Sequence, residues 1–441
     1  MLPIFVLLTA LTPVSAPPKV TFTRDVAPIL YKNCTPCHRE GEVAPFSLKT
    51  YTDAKRRAVQ IAEVTQKRVM PPWSAVHGYG SFRDERRLTD PEIATLKSWA
   101  DAGSPEGDRK DAPPLPSFPS GWRLGKPDFI VKMPKSYAIP ADGKDIYRNL
   151  VVPINLPADK WVRGIEFHPG NAKIVHHVIL MTDDKGEARK LDLKDGNGED
   201  GYPGYGGMGF TPSSSLGGYT PGDIPKLYTE GTASKLSKKT DLVFSMHYHP
   251  SGKPESDQSE IGIYFSDKAP TRRGSVILMG VLNIDIAPGE KQHVETTDYV
   301  LPCDVEVSGI MPHMHIIGRE NRIHAETPDG KVIPLIWVKN WDINWQGTYR
   351  LKSPIKLVKG TKLKGVWTHD NSADNPHNPS IPPIRVKNGE NSTDEMAGVI
   401  LEVVLEKWQD ELALWGANLG MLAKAYFTPP AKNVPLPPVK R

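Results

Sequence analysis

From residue 129 to residue 405 the chain reads as short apolar runs cut by turn signals, and this pattern constrains its fold more than any other feature. The runs include Phe129-Ile130-Val131, Leu150-Val151-Val152, Ile174-Val175, Leu242-Val243-Phe244, Ile261 to Phe265, Val276-Ile277-Leu278, Val305-Glu306-Val307, Val332 to Leu335, Ile355-Lys356-Leu357, Leu363 to Trp367 and Val399 to Leu405. Turn-forming pairs such as Asp142-Gly143, Pro288-Gly289, Asp329-Gly330 and Lys359-Gly360 lie between them. Short antiparallel strands at this spacing predict β-sandwiches. The 37 Gly and 43 Pro support that reading, because long helices tolerate Gly and Pro poorly and turn-rich sheets accept them. A stretch of this length exceeds one small sandwich of ~100 residues. Two are therefore expected, over 128–270 and 271–410, with the break near Ser266–Ser275. Leu193 to Tyr219 is Gly-rich and reads as a long surface loop, and 411–441 as a terminal helix and tail.

The first hundred residues follow a different pattern. Val26, Ile29 and Leu30 recur at helical spacing before Cys34-Thr35-Pro36-Cys37-His38. Thr89-Asp90-Pro91-Glu92 opens another helix with a capping-box pattern, and Ile93, Leu96 and Trp99 share one face. C-x-x-C-H is the pattern of covalent haem c attachment. Two thiols separated by two residues reach two vinyl groups of one porphyrin, and the next His falls beneath the ring as an axial ligand. A thioredoxin-like pair would want a βαβ context, and a zinc site a second ligand pair, which residues 20–110 lack. Met70, in a Pro-stiffened loop with Pro71 and Pro72, is the candidate sixth ligand, with His77 as the alternative. The expectation for 17–110 is a small all-α cytochrome c domain that transfers electrons. The Pro-rich 111–127 reads as a stiff linker to the all-β part.

Residues 1–16, an apolar run ending Val14-Ser15-Ala16, resemble a secretory signal peptide. A periplasmic or secreted protein is expected, without a membrane span, since nothing later supplies ~20 consecutive apolar residues. The net charge of +4 with no basic block argues against a nucleic-acid partner. Three Cys are too few for a disulfide scaffold, and Cys303 reads as core.

The histidines beyond residue 160 cluster. His176-His177 follows a strand-like run. Adjacent strand residues face opposite ways, so both could bind one metal only at a strand end or a distortion. His247-Tyr248-His249 and His313-Met314-His315 each place two imidazoles on one strand face. Imidazole sets favour Cu, Zn, Fe or Ni, and the thioether of Met396 adds a soft ligand suited to Cu(I). A zinc hydrolase would need an acidic base, for which Asp370 beside His369 is the candidate. His369 and His377 otherwise read as structural residues of a turn-rich loop. A non-catalytic exported electron-transfer or copper-binding protein would use the same ligands.

Val175-His176-His177-Val178, Met246-His247-Tyr248-His249-Pro250, His313-Met314-His315-Ile316-Ile317-Gly318-Arg319 and Asp394-Glu395-Met396 resemble, in order and spacing, the type II ascorbate-dependent copper monooxygenases. That family includes dopamine β-monooxygenase and peptidylglycine α-hydroxylating monooxygenase. With the haem motif in front, the chain resembles bacterial cytochrome c–monooxygenase fusions. The resemblance implies two jelly-roll sandwiches across a solvent-filled cleft and two copper ions. His176, His177 and His247 would hold the copper that stores and relays an electron. His313, His315 and Met396 would hold the copper where O₂ is used to hydroxylate a substrate C–H bond. Ascorbate or another external donor would supply electrons, here through haem on Cys34, Cys37, His38 and Met70. At the positions where the peptide enzyme grips its substrate stand Met311, Gly398 and Ile400, so the implied substrate is a small molecule other than a peptide C-terminus.

Overall fold

The computed structural model describes residues 20–428, except 41, 43, 119–120, 197, 205–206 and 222. The signal-peptide expectation for 1–16 lies outside the described residues. The chain forms two compact units, one from residues up to 73 with 86–118, the other from 74–85 with the chain beyond 118.

The first unit carries helices α1 (Ala27–Asn33), α2 (Tyr51–Lys55), α3 (Ala58–Gln66) and α4 (Asp90–Asp101), with a π turn over Phe22–Val26 ahead of α1. Its core gathers Phe22, Val26, Leu30, Leu96 and Trp99. Thr89 caps α4 as its sequence predicts: its hydroxyl accepts from Glu92 N–H, and the Glu92 carboxylate accepts from Thr89 N–H at 2.7 Å. The expectation of a small all-α domain ahead of an all-β part is nevertheless corrected. Strand accounts for 36% of the chain and helix for 17%, and the N-terminal helices run only five to twelve residues. The physical reason is the density of breakers, with Pro36 and Pro71-Pro72 interrupting the helical pattern. Residues 74–85 moreover belong with the β unit. They form an irregular, turn-rich segment that bridges at Ala75↔Val338 and Phe82↔Leu351 and buries Tyr79 and Phe82.

In the second unit, the first sandwich comprises β1 (Phe129–Lys132), β2 (Tyr137–Ile139), β3 (Ile146–Asn155), β4 (Lys160–His168), β5 (Val175–Asp183), β6 (Tyr202–Pro203), β7 (Ser214–Tyr219), β8 (Ser234–Leu236), β9 (Lys239–Tyr248), β10 (Glu255–Asp257) and β11 (Glu260–Ser266). Its sheets have the orders β6-β3-β9-β5-β7 and β1-β11-β4-β8, with β2-β10 as a small extra ribbon. Leu150, Val162, Leu180, Phe244 and Ile263 fill the space between them. Helix α5 (Glu187–Asp195) and β7 fall at or within the Gly-rich stretch expected as loop, and β7 adds an edge strand beside β5. The linker's later half is docked: the buried Glu166 accepts from Arg123 and Leu124 N–H, and Trp122 stacks on His168.

The second sandwich comprises β12 (Arg273–Val281), β13 (Asp285–Ile286), β14 (His293–Val300), β15 (Val305–Met314), β16 (Gly318–Glu326), β17 (Val332–Lys339), β18 (Tyr349–Leu357), β19 (Lys362–His369), β20 (Val386–Lys387) and β21 (Ala397–Leu405). Its sheet orders are β12-β21-β15-β18 and β14-β19-β16-β17, all antiparallel. Burial alternates along β15 and most of β21, as a half-buried strand requires. Cys303 is buried. Helix α6 (Asp410–Phe427) lies against β12, where Asn418 Nδ2 donates to Val276 O at 2.9 Å.

Candidate metal centres

The three-His cluster depends on a fault in a β-ladder. β5 and β9 pair Val175 with Tyr248 and then His177 with His247, so two steps on β5 oppose one on β9. His176 is the extra residue of a bulge, which re-aims side chains that a regular strand would point apart. His176 Nδ1 and His177 Nδ1 lie 3.2 Å apart, and His247 Nδ1 lies 3.3 Å from His177 Nδ1. Two imidazole nitrogens each about 2.0 Å from one ion, at a near-tetrahedral angle, have this separation. The donor set therefore fits a single metal ion.

The surroundings keep these nitrogens available. Burial, reinforced by the charge of His247, pulls the His176 pKa down to about 4 and that of His177 well below the ordinary range. Both are neutral ligands at pH 7. His247 Nε2–H donates to Asp145 Oδ2 at 3.0 Å, which leaves the Nδ1 lone pair for a metal. His249 shares that strand face, but its Nδ1 bonds Asp145 Oδ1 at 2.7 Å and its side chain is 68% exposed, so it stands outside the cluster. Burial acts to raise the Asp145 pKa, but hydrogen bonds from His247, Ser392 and His249 outweigh it and hold the carboxyl well below its usual value.

The second group sits where β15 and β21 end. His313 pairs with Gly398 and Met314 with Ala397. The ladder ends there; His315 and Met396 each lie one residue beyond it, and the Glu395 carboxylate accepts from both of their N–H groups. His313 Nδ1 donates to Gln346 Oε1 at 2.5 Å and His315 Nδ1 to the Asp394 carbonyl at 3.3 Å. Both Nε2 atoms are thereby left as acceptors. The rings are 5.2 Å apart between centroids and nearly perpendicular. Burial lowers both pKa values, that of His315 to about 3. Two imidazoles with Nε2 left as acceptors suit a metal such as Cu or Zn, and the thioether of Met396, one residue before the strand that pairs with β15, would add a soft ligand suited to Cu(I).

Glu395 organises this end of the sheet. It is fully buried, and its Oε1 accepts from His315 N–H at 2.6 Å and Met396 N–H at 2.8 Å. The two groups belong to one electrostatic neighbourhood, since the charge of His313 bears on His176 and His177 and that of His247 on His313 and His315. Ser392 Oγ donates to Asp145 Oδ2 at 2.6 Å, and Tyr147 O–H donates to Glu390 O at 2.9 Å while its ring stacks on His247. Asp145, Gln346 and Glu395 carry no role in the sequence reading. Glu395 alone lay inside a recognised motif, and no local signal marks the other two.

In the first unit, Cys34 caps α1, and Cys37 N–H and His38 N–H both donate to Cys34 O. Neither thiol is in a disulfide, and burial pushes that of Cys34 up to about 12. His38 Nδ1 bonds Phe46 O at 3.3 Å, leaving Nε2 for a metal. The set fits haem attachment through the two sulfurs, with His38 Nε2 left as a candidate iron ligand. Met70 follows α3, with its N–H on Val64 O. His77 belongs to the other unit and bonds Glu85 at 3.0 Å. His369, fully buried, ends β19, its Nε2 3.8 Å from Glu395 Oε1.

No family model matches the sequence, and no curated protein matches it. Among solved structures the chain is similar to PNGF-II (11% identity, 62% of this chain and 65% of that chain, TM-score 0.27). It is also similar to the major capsid protein P2 from bacteriophage PM2 (12% identity, 59% and 97%, TM-score 0.25). A third is the VP2 subviral particle of infectious bursal disease virus (8% identity, 64% and 72%, TM-score 0.18). The chain spans just under two thirds of the PNGF-II chain. Likenesses this slight carry no argument about fold or function. Among the described residues no helix is long and apolar enough to cross a membrane.

Proposed function

We propose that this is an exported copper- and haem-dependent monooxygenase that hydroxylates a C–H bond of a small substrate with O₂. The observation that supports it most is the convergence of the His176, His177 and His247 imidazoles on one point, in the same electrostatic neighbourhood as His313 and His315. Copper held by these two sets supplies one-electron chemistry toward O₂, and haem c supplies an inlet for electrons.

The chain's own residues do the positioning. Asp145 fixes the His247 tautomer and orients its ring, as carboxylates behind metal-binding His do. Gln346 and the Asp394 carbonyl do the same for His313 and His315. Glu395 holds the main chain of His315 and Met396 in register with one oxygen. The roles follow from the resemblance: His176, His177 and His247 would hold the ion that stores an electron, and His313, His315 and Met396 the ion used with O₂, whose reduced state a thioether would favour. Cys34 and Cys37 would hold the porphyrin, with His38 and Met70 as the candidate iron ligands, and the group would supply one-electron transfer.

Metal analysis with pyridine haemochrome tests this directly. One haem c and two coppers per chain are expected, and Met396→Ile should abolish O₂-coupled hydroxylation while the three-His site keeps its copper. A chain that takes up neither copper nor haem overturns the proposal. Full activity in Met396→Ile overturns the assignment of the second site.

A further inference from the structure

His38 is held by one short segment of the first unit. Leu48 N–H donates to His38 O at 2.9 Å, and His38 Nδ1 bonds Phe46 O at 3.3 Å. The Phe46 side chain adds a ring contact, its centroid 4.6 Å from that of the imidazole. Arg57 lies over the same ring, with its guanidinium carbon 3.6 Å from the Phe46 centroid, a cation–π contact. The charge is therefore no farther from the imidazole than those two distances laid end to end.

The backbone puts Arg57 there. Thr50 caps α2, its hydroxyl accepting from Asp53 N–H at 3.1 Å, and Arg57 N–H donates to Ala54 O where α2 turns into α3. Its Nη1 donates to Gln60 Oε1 at 3.2 Å, a neutral partner that leaves the charge in place. Asp53 and Arg56, which line a small cavity with Arg57, are of opposite sign. A fixed cation favours whichever state of a neighbour carries less positive charge. Burial pulls the His38 pKa down, and the charge of Arg57 adds to that pull. The same field would act on iron held by His38, whose ferrous state carries one positive charge less than its ferric state.

We infer that Arg57, carried on Phe46 beside His38, raises the reduction potential of the haem that this unit holds. The inference rests on the haem reading above and deepens it. Arg57 is a positioning residue: its permanent charge acts through Phe46 and His38, with no contact to iron or porphyrin required. In the step it favours, one electron from the external donor reduces Fe(III) to Fe(II), and Arg57 keeps its proton throughout. At an effective dielectric of about 20, and with a half-exposed guanidinium partly screened by water and salt, the bias is on the order of three- to tenfold in the reduction equilibrium constant. Tenfold corresponds to about 59 mV for one electron.

Spectroelectrochemical titration of the full chain tests it, with pyridine haemochrome confirming haem in each variant. Arg57→Gln should lower the reduction equilibrium constant about three- to tenfold, and Arg57→Met, which keeps the length without the charge, should do the same should the Gln variant lose haem. Arg57→Lys keeps the charge and should recover most of the loss. Arg56→Gln, which removes the neighbouring exposed cation, should change the constant less. With haem present, an unmoved midpoint in the uncharged variants overturns this inference alone. So does an Arg57→Lys midpoint as low as that of Arg57→Gln, or an equal fall in Arg56→Gln. A full-length wild-type chain that takes up no haem overturns the haem reading and this inference together.

Discussion

Asp145 Oδ2 accepts the Nε2 proton of His247 at 3.0 Å, and the side chains of both residues are largely shielded from water. One carboxylate thereby fixes a candidate ligand of the first sandwich while also bonding Ser392 of the second. Removing such a partner typically lowers metal affinity 10–100-fold. Asp145→Ala is therefore expected to weaken copper binding at the three-His site by about that factor, with the His313/His315 set changed less. Competition titration with a chelator checks both sites. Equal weakening of the two would contradict this division of labour.

Glu395 is predicted to matter for stability before it matters for chemistry. Its Oε1 serves two main-chain donors at once in a fully buried position. Glu395→Ala leaves both without that acceptor, at about 1–3 kcal/mol for each unsatisfied group. Glu395→Gln keeps a carbonyl oxygen in place and should recover most of the loss. Urea unfolding of the two variants measures the difference. If Ala and Gln lower the midpoint equally, the hydrogen-bond account fails.

His293 gives a pH dependence of definite sign. Burial acts to lower its pKa, but hydrogen bonds to Glu295 and Glu290, at 2.9 and 2.8 Å, outweigh that and raise it above the usual histidine value. The folded chain therefore holds this proton more tightly than the unfolded one. The contribution is fully present below about pH 6.5, the unfolded value, and is lost as pH rises through the folded value. His293→Asn should flatten the stability profile above pH 6.5 relative to wild type. Thermal unfolding across pH 6 to 9 reads it, and parallel profiles would show that His293 contributes nothing.

What could be read from the sequence was local. The apolar runs marked most strands, because an alternating or short apolar pattern is a property of neighbouring residues. The requirement that His176 and His177 share a metal only at a strand end or distortion follows from strand geometry, and the structure has a bulge there, two residues into the ladder. Asp145 and Gln346 could not be read, since each is a single polar residue whose partner lies 102 and 33 positions away. The 74–85 segment was equally silent. It joins the β unit through isolated bridges such as Ala75↔Val338, and one bridge imposes no periodicity on a sequence. The all-α expectation over-extended two legible helices, α1 and α4, across a stretch that Pro and Gly keep irregular.

Gly280 tests whether the sheet beside Met396 tolerates any displacement. It pairs with Gly398 on β21, and a Cβ at this position would lie 2.5 Å from the Ala397 carbonyl oxygen and 3.2 Å from Gly398 Cα. Both are main-chain atoms of the strand that carries Met396 into the ladder, so they cannot turn aside as a flexible side chain would. Gly280→Ala must push β12 and β21 apart locally, and overpacking of this kind costs about 1–3 kcal/mol. Because β21 also pairs with β15, the displacement reaches the His313–Gly398 step. The expected result is a lower unfolding midpoint together with weaker copper binding at the second site, while the three-His site on β5 and β9 keeps its affinity. Gly274→Ala, on the same strand with its nearest atom, Thr232 Cβ, 3.8 Å from the built Cβ, is the control and should change neither property. Loss at both copper sites in Gly280→Ala would mean that the variant perturbs the whole unit and not the β12–β21 contact.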